Sequence, residues 1–215
     1  MFGRVARRYR LANAILSGGM DHFWRKRAAS IVKSWGPKRV LDVATGSGDL
    51  ARTIESVIPE AEVTGADFSP EMLEVARQLG SRRLVQADAL ALPFRDAEFD
   101  AVTVGFGLRN MASWEGALQE MARVLKPGGH VLVLDFSVPP PPLRGIYRSY
   151  LHYVLPRLAS WVTGEKEAYR YLAESIEAFP SGETLCGLLI GAGLGEVGCE
   201  PLSGGIVSLY TGRRE

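Results

Sequence analysis

Cysteine is nearly absent: the 215 residues hold two, Cys186 and Cys199. Their spacing suits neither a metal site nor a CxxC redox pair, and two are too few for a disulfide framework. No metal is expected, and reduced thiols point to a cytoplasmic protein. An excess of charge is missing too. With 25 basic and 24 acidic residues, the chain lacks the basic balance of a non-specific nucleic-acid binder, so no nucleic-acid partner is expected. Two local basic runs, Arg4–Arg10 and Phe23–Arg27, read either as a solvated helix face or as a patch. Long apolar runs are lacking as well. No window reaches the roughly 18–20 residues of a membrane-spanning helix, and "LANAIL" is too short for a signal-peptide core. Any membrane contact would be peripheral, at the inner face.

What is present is alternation. Apolar runs at 39–45, 61–69, 82–89, 99–106 and 130–137 read as strands. Helical stretches lie between them, among them "PEMLEVARQLG", with Ser69 as N-cap and Pro70 at the first position. The amphipathic "SWEGALQEMARVL" is stopped by a "KPGG" turn. Strand–helix alternation predicts βαβ units and a parallel sheet with helices on both faces. After "PPPP" (139–142) the pattern changes to an aromatic, basic, helical segment from Leu143 to Val162. Further helices are expected at 165–179 and 181–193. Two closing strands, 194–202 and 204–213, are too close in sequence for a crossover helix and should pair antiparallel.

The loop "ATGSGDLA" stands between the first strand and its helix. Gly46, Ser47 and Gly48 allow close approach of a ligand to outward-pointing N–H groups. Asp67 ends the second strand and can accept from vicinal ribose hydroxyls. The loop also fits the G-x-G-x-x-A version of a dinucleotide fingerprint, so two further acids matter. Asp42, inside the first strand, is costly to bury and suits a cationic amine rather than a pyrophosphate. Asp88, after the third strand, can receive an adenine amino group, with Ala89 leaving room for the ring. An amine, a ribose and an adenine without phosphate describe S-adenosylmethionine, whose spent form is S-adenosylhomocysteine.

Together these stretches resemble class I S-adenosylmethionine-dependent methyltransferases. Within them, "FGLRN", "YVLPRLASWV" and "YLAESI" are similar to the family that C-methylates demethylmenaquinone and its ubiquinone-pathway counterpart. The resemblance covers roughly residues 9–212. It implies a Rossmann-like class I methyltransferase fold, α/β, with a seven-stranded, mostly parallel sheet whose last strand is antiparallel. As one domain, 1–215, the chain would divide into an N-terminal helical cap (1–36) and a cofactor-binding half (37–138). A helical substrate or lid insertion (139–180) and a C-terminal helix with a strand pair (181–215) would follow. The resemblance implies cofactor contacts at Ser47, Asp67, Phe68, Asp88 and Ala89, beside Asp42, Gly46 and Gly48. A further contact falls on Gly105, where the family often has Ser. Ala44 replaces a glycine common in the superfamily, and Arg10 stands where an Asp is usual.

The implied reaction is C-methylation of a polyprenyl quinol, most simply demethylmenaquinol to menaquinol, with a ubiquinone-pathway benzoquinol as the alternative. Such chemistry needs alignment with the sulfonium methyl and a ring made nucleophilic by loss of a phenolic proton. Arg109 would stabilise the developing phenolate, directly or through water, and Asn110 would orient its oxygen. Tyr9 and His22 are further candidates from the N-terminal segment. Asp135 either faces the pocket or caps a loop. The segment 143–162 suits a membrane-interface helix or lid over the prenyl tail, and equally a helix packed on the sheet or a homodimer interface. A methyltransferase on another small molecule, a non-catalytic nucleotide binder and an NAD oxidoreductase are the competing functions.

Overall fold

The computed structural model describes residues 19–154 and 166–215. The apolar runs become β1 (Arg39–Val43), β2 (Glu62–Asp67), β3 (Leu84–Gln86), β4 (Phe99–Gly105) and β5 (Leu125–Phe136), followed by β6 (Leu194–Leu202) and β7 (Val207–Arg214). They form one sheet in the order β3-β2-β1-β4-β5-β7-β6. The pairs β1–β2, β1–β4, β2–β3 and β4–β5 are parallel. β7 runs antiparallel to both of its neighbours. The antiparallel end of the sheet is as the close spacing of the last two runs predicts.

Side chains leave a strand alternately to its two faces, and the core divides accordingly. Val40, Ala101 and Leu132 join one apolar cluster, while Leu41, Val102 and Val133 join the other. The first face is covered by α1 (Asp21–Ser34) and α2 (Asp49–Val57), through Trp24, Ala28, Leu50 and Ile54. On the second lie α4 (Trp114–Val124) and α7 (Glu183–Gly191), through Leu118, Met121, Leu185 and Leu189. Between β2 and β3 runs α3 (Pro70–Gln78), whose start is capped as expected: Ser69 Oγ accepts from the Met72 N–H at 3.2 Å.

Two boundaries depart from the sequence reading. β5 starts at Leu125, so "KPGG" lies within it as a bulge; Phe99 pairs with Leu125 and Ala101 next with His130. Gly128, at φ +78°, takes the conformation that makes the detour possible. The third strand shrinks to three residues, and an isolated Asp88–Ala91 bridge closes the loop after it. The segment after the prolines forms α5 (Leu143–Ser149) and a π turn (Tyr150–Val154), and α6 spans Lys166–Ala178. Tyr147, Leu151, Leu172 and Ile176 are buried on the first face, so these helices pack on the sheet. Ile146 and Tyr153 nevertheless remain 70% and 64% exposed.

Strand order is what places the site. The chain fills β1, β2 and β3 on one side, then returns to lay β4 and β5 on the other. The connections leaving β1 and β4 therefore part in opposite directions, which opens a crevice at the carboxyl edge of the sheet. "ATGSG" and "GFGLRN" are those two connections.

Candidate functional site

A cavity of about 1070 Å³ occupies this crevice. Its walls include Asp42, Gly46, Ser47, Asp67, Phe68, Asp88, Ala89, Gly105, Asn110 and His22, ten of the residues singled out in the sequence. Phe106 and the α1 residues Asp21 and Arg25, which the sequence did not single out, line it too.

At the β1 end, Asp42 is buried and receives hydrogen bonds from Thr45 Oγ1 at 2.6 Å and Thr103 Oγ1 at 2.7 Å. Thr103 is its register partner on β4, which fixes this meeting. Burial outweighs both hydroxyls and pushes the Asp42 carboxyl up to about 6. Asp67 braces the glycine loop: one oxygen accepts from the Gly46 N–H at 2.7 Å, the other from the Ser69 N–H at 2.9 Å. Its pKa is raised, again chiefly by burial. A carboxylate has about four acceptor positions, so both oxygens keep capacity for a ligand. Asp88 accepts from the Leu90 N–H at 2.9 Å through one oxygen. Ser47 Oγ donates to Asp49 at 2.7 Å.

Gly48 is different. It does not line the cavity; at φ +76° a Cβ there would lie 2.4 Å from Ser81 Oγ and 2.9 Å from Arg52. The glycine serves the turn and its packing rather than ligand approach. The Gly105 departure also has a local reason, since a Cβ would meet Leu50 Cδ2 at 2.9 Å. Two non-glycine residues beside the cavity, Ala44 (φ +51°) and Phe106 (φ +59°), adopt left-handed backbone. Strain of this kind gathers at functional sites.

The largest correction concerns Arg109. It sits in a short 3-10 turn (Leu108–Asn110) and does not line the cavity. Its side chain is 1% exposed, pairs with Asp135 at 2.7 Å, and donates to the Phe106 carbonyl at 2.6 Å. The guanidinium lies over the Phe136 ring, 5.2 Å from its centroid. Asp135, also buried, accepts from the Arg109 and Phe136 N–H groups, so it holds a loop rather than facing the pocket. The Arg109 guanidinium is thus no part of the cavity wall. Asn110 does line the cavity, and its Oδ1 accepts from Tyr171 Oη at 3.4 Å. Tyr9 lies outside the described residues.

A second cation stands where Arg109 was expected. Phe106 packs against Phe136 at 4.8 Å and near Trp24 at 6.1 Å, forming an aromatic wall. Arg25 lies over the Phe106 ring at 5.7 Å and is paired with Asp21 at 2.5 Å. The "FWRKR" run gave no sign of this, because sequence does not say which residue of a basic helix turns inward. Among the described residues no cluster of three His, Cys, Asp or Glu side chains could hold a metal ion.

A family model described as the ubiE/COQ5 methyltransferase family matches residues 1–214. The chain is 48% identical over 220 residues to a demethylmenaquinone methyltransferase of Thermus thermophilus, covering all of both chains. It is 44% identical to the ubiquinone/menaquinone biosynthesis C-methyltransferase UbiE of Syntrophotalea carbinolica, covering 100% of this chain and 92% of that one. Among solved structures, a SAM-dependent methyltransferase of Thermotoga maritima matches over the full length of both at TM-score 0.66 and 21% identity. A phosphoethanolamine N-methyltransferase of Haemonchus contortus in complex with S-adenosyl-L-methionine matches at TM-score 0.61 and 17% identity, over 86% of this chain and 51% of that one. At such identities the structures share a fold and no more.

Proposed function

Because the chain belongs to the ubiE/COQ5 methyltransferase family, we propose that it transfers a methyl group from S-adenosylmethionine to a ring carbon of a polyprenyl quinol, most simply demethylmenaquinol. The carrying observation is the donor set of the cavity. Asp42, Asp67 and Asp88 present three carboxylates along the ends of β1, β2 and β3, and among the described residues no Lys or Arg from that side lines the space with them. Arg52, the nearest guanidinium of the loop, is turned to the Ser47 carbonyl and Asp49. Such a lining fits an ammonium, a ribose and an adenine, and would repel a pyrophosphate. An NAD oxidoreductase is disfavoured on the same ground.

In this reading Asp42 faces the amino group, Asp67 the ribose and Asp88 with Ala89 the adenine; Gly46, Ser47, Phe68 and Gly105 complete the wall. Bound there, the cofactor supplies a methyl group already activated on a sulfonium. The chain's own task is to orient the quinol and exclude water. Asn110, whose Oδ1 accepts from Tyr171 Oη, would hold a ring oxygen, and His22 at the cavity would relay its proton. The domain reading follows: α1 caps the site, residues 37–138 carry the cofactor, and the helices of 139–180 attend the substrate.

The substrate's prenyl tail is apolar, and Ile146 and Tyr153 are exposed apolar side chains on that helical segment. We therefore include a peripheral membrane contact in the proposal; no described helix is long and apolar enough to cross a membrane. The test is incubation of the purified chain with S-adenosylmethionine and reduced demethylmenaquinone, followed by mass spectrometry. Methylated quinol is expected. No methylation of either naphthoquinols or benzoquinols, with intact cofactor binding, would overturn the proposal.

A further inference from the structure

We infer that Arg25 of α1, and not the arginine of the "GFGLRN" loop, is the cation that meets the quinol oxygen as it becomes a phenolate. The inference rests on the quinol reading above but concerns a residue that reading does not use. Three observations carry it. The aromatic pair Phe106–Phe136 has an arginine over each ring: Arg109 over Phe136, with its side chain 1% exposed, and Arg25 over Phe106. Arg25 lines the cavity and Arg109 does not. Arg25 is also held in place, by Asp21 one turn earlier at 2.5 Å and by the ring face it covers.

The other charged or titratable groups lining the cavity are Asp21 and His22 on α1, Asp42 on β1, Asp49 on α2, Asp67 at the end of β2 and Asp88 beyond β3. Among the described residues, five carboxylates and an imidazole leave Arg25 as the lining residue with a fixed positive charge. A phenolate forming among these acids would be disfavoured by them and needs a counter-charge in reach. Both arginines are paired with an aspartate, but Arg109 is sealed behind the aromatic wall at 1% exposure while Arg25 reaches the cavity.

The step balances simply. The phenolic proton leaves by way of His22 to solvent and the ring carbon takes the methyl group, while the methyl–sulfur electron pair stays on sulfur. The hydrogen displaced from that carbon then leaves as a proton, the oxygen is reprotonated, and the aromatic quinol is restored. One proton is released overall. Arg25 acts at the first stage, by lowering the pH at which the bound hydroxyl ionises.

The experiment uses the full chain with a phenolic probe whose acceptor carbon is blocked, 2-methyl-1-naphthol, and follows naphtholate absorbance against pH. An ordinary phenol ionises near pH ~10. In the wild type the bound probe should ionise at lower pH, and in Arg25→Gln the shift should be lost. Quinol kcat/KM should fall about 10²-fold in that variant, the usual effect of removing one donor to a developing oxyanion. Its melting temperature and S-adenosylmethionine affinity should stay unchanged. Arg25→Lys, which keeps the charge, should retain most of the probe shift, and Lys26→Gln on the exposed side of α1 should retain all of it. Full turnover and an unchanged probe titration in Arg25→Gln would overturn the inference while leaving the quinol reading intact. A wild type that shifts the probe through Arg25 yet methylates no quinol would overturn the quinol reading, and with it Arg25's role toward a quinol, while leaving Arg25 as the cation that ionises a bound phenol.

Discussion

Arg109 and Asp135 put opposite charges where water does not reach, with exposures of 1% and 0% at their side chains. Removing one partner from such a pair leaves the other uncompensated, which costs about 3–5 kcal/mol, a large share of the ~5–15 kcal/mol that holds a domain folded. Arg109→Met should therefore lower the urea midpoint sharply and reduce activity through misfolding of the loop that carries Asn110. Combining it with Asp135→Asn should recover much of the stability. An Arg109→Met protein as stable as wild type, with a defect confined to kcat, would return the guanidinium to the substrate. Asp42 offers a second residue-scale prediction. Its folded pKa of about 6 lies above the ordinary 3.8, so its contribution to stability is greatest below pH ~4 and declines as pH rises through 6. Asp42→Asn should accordingly be the more stable protein at pH 7, by about 2–3 kcal/mol, with the gap closing toward pH ~4. If Asp42 meets the cofactor's ammonium, wild-type affinity for S-adenosylmethionine should also weaken as pH falls below 6, up to tenfold per pH unit; urea unfolding across pH reads the first effect and calorimetric titration the second. The three acids were legible in the sequence because they lie within or just beyond the carboxyl halves of successive strands, Asp42 in β1, Asp67 closing β2 and Asp88 after β3, where the parallel sheet dictates direction. Arg109 was not, since a loop residue's type does not reveal on which side of Phe106 and Phe136 it packs.

Among the elements, α1 matters most to the site, because it brings Asp21, His22 and Arg25 to the cavity from far away in sequence. Two attachments tie it to the β6–β7 hairpin. Trp24 is buried against Phe106 and Phe136, and its Nε1 donates to Ser203 Oγ at 2.9 Å. Arg27 makes a bidentate pair with Glu200 at 2.9 Å for each bond, but both side chains are exposed by 40% or more. Burial decides between them. Trp24→Ala should destabilise by about 3–5 kcal/mol and release α1, whereas Glu200→Ala should change stability by less than about 1 kcal/mol and leave turnover intact. Hydrogen exchange along α1 checks this; equal protection in both variants would show that the tryptophan is not the anchor. The sheet itself was legible almost strand by strand, since a buried parallel strand must be an apolar run. "KPGG" misled because a Pro–Gly pair has the same local chemistry in a turn and in a bulge, and only pairing with β4 distinguishes them. The docking of α1 left no local signature, as it depends on Trp24 meeting residues more than eighty positions away.

Taken as a whole, the molecule carries a formal net charge of +1, so its net charge gives little attraction to an anionic bilayer in which the proposed substrate would sit. In the proposed function, apolar contact would supply the membrane affinity. Along α5 and the turn after it, Leu143, Ile146, Tyr153 and Val154 are exposed, while Tyr147 and Leu151 hold the same segment to the core. Arg148 is engaged by Glu177 on α6 at 3.2 Å, which fixes the segment rather than leaving that charge for a headgroup. Binding through such a surface should depend little on salt, because burial of apolar area is not screened. The variant Ile146→Glu/Tyr153→Glu is then expected to abolish co-sedimentation with phospholipid vesicles and to slow methylation of a long-tailed quinol presented in them. Turnover of a short-tailed, water-soluble quinol should be unchanged, since neither residue lines the cavity. Loss of activity on both substrates would mean that the segment shapes the site itself, and full activity on both would place the membrane contact elsewhere on the surface.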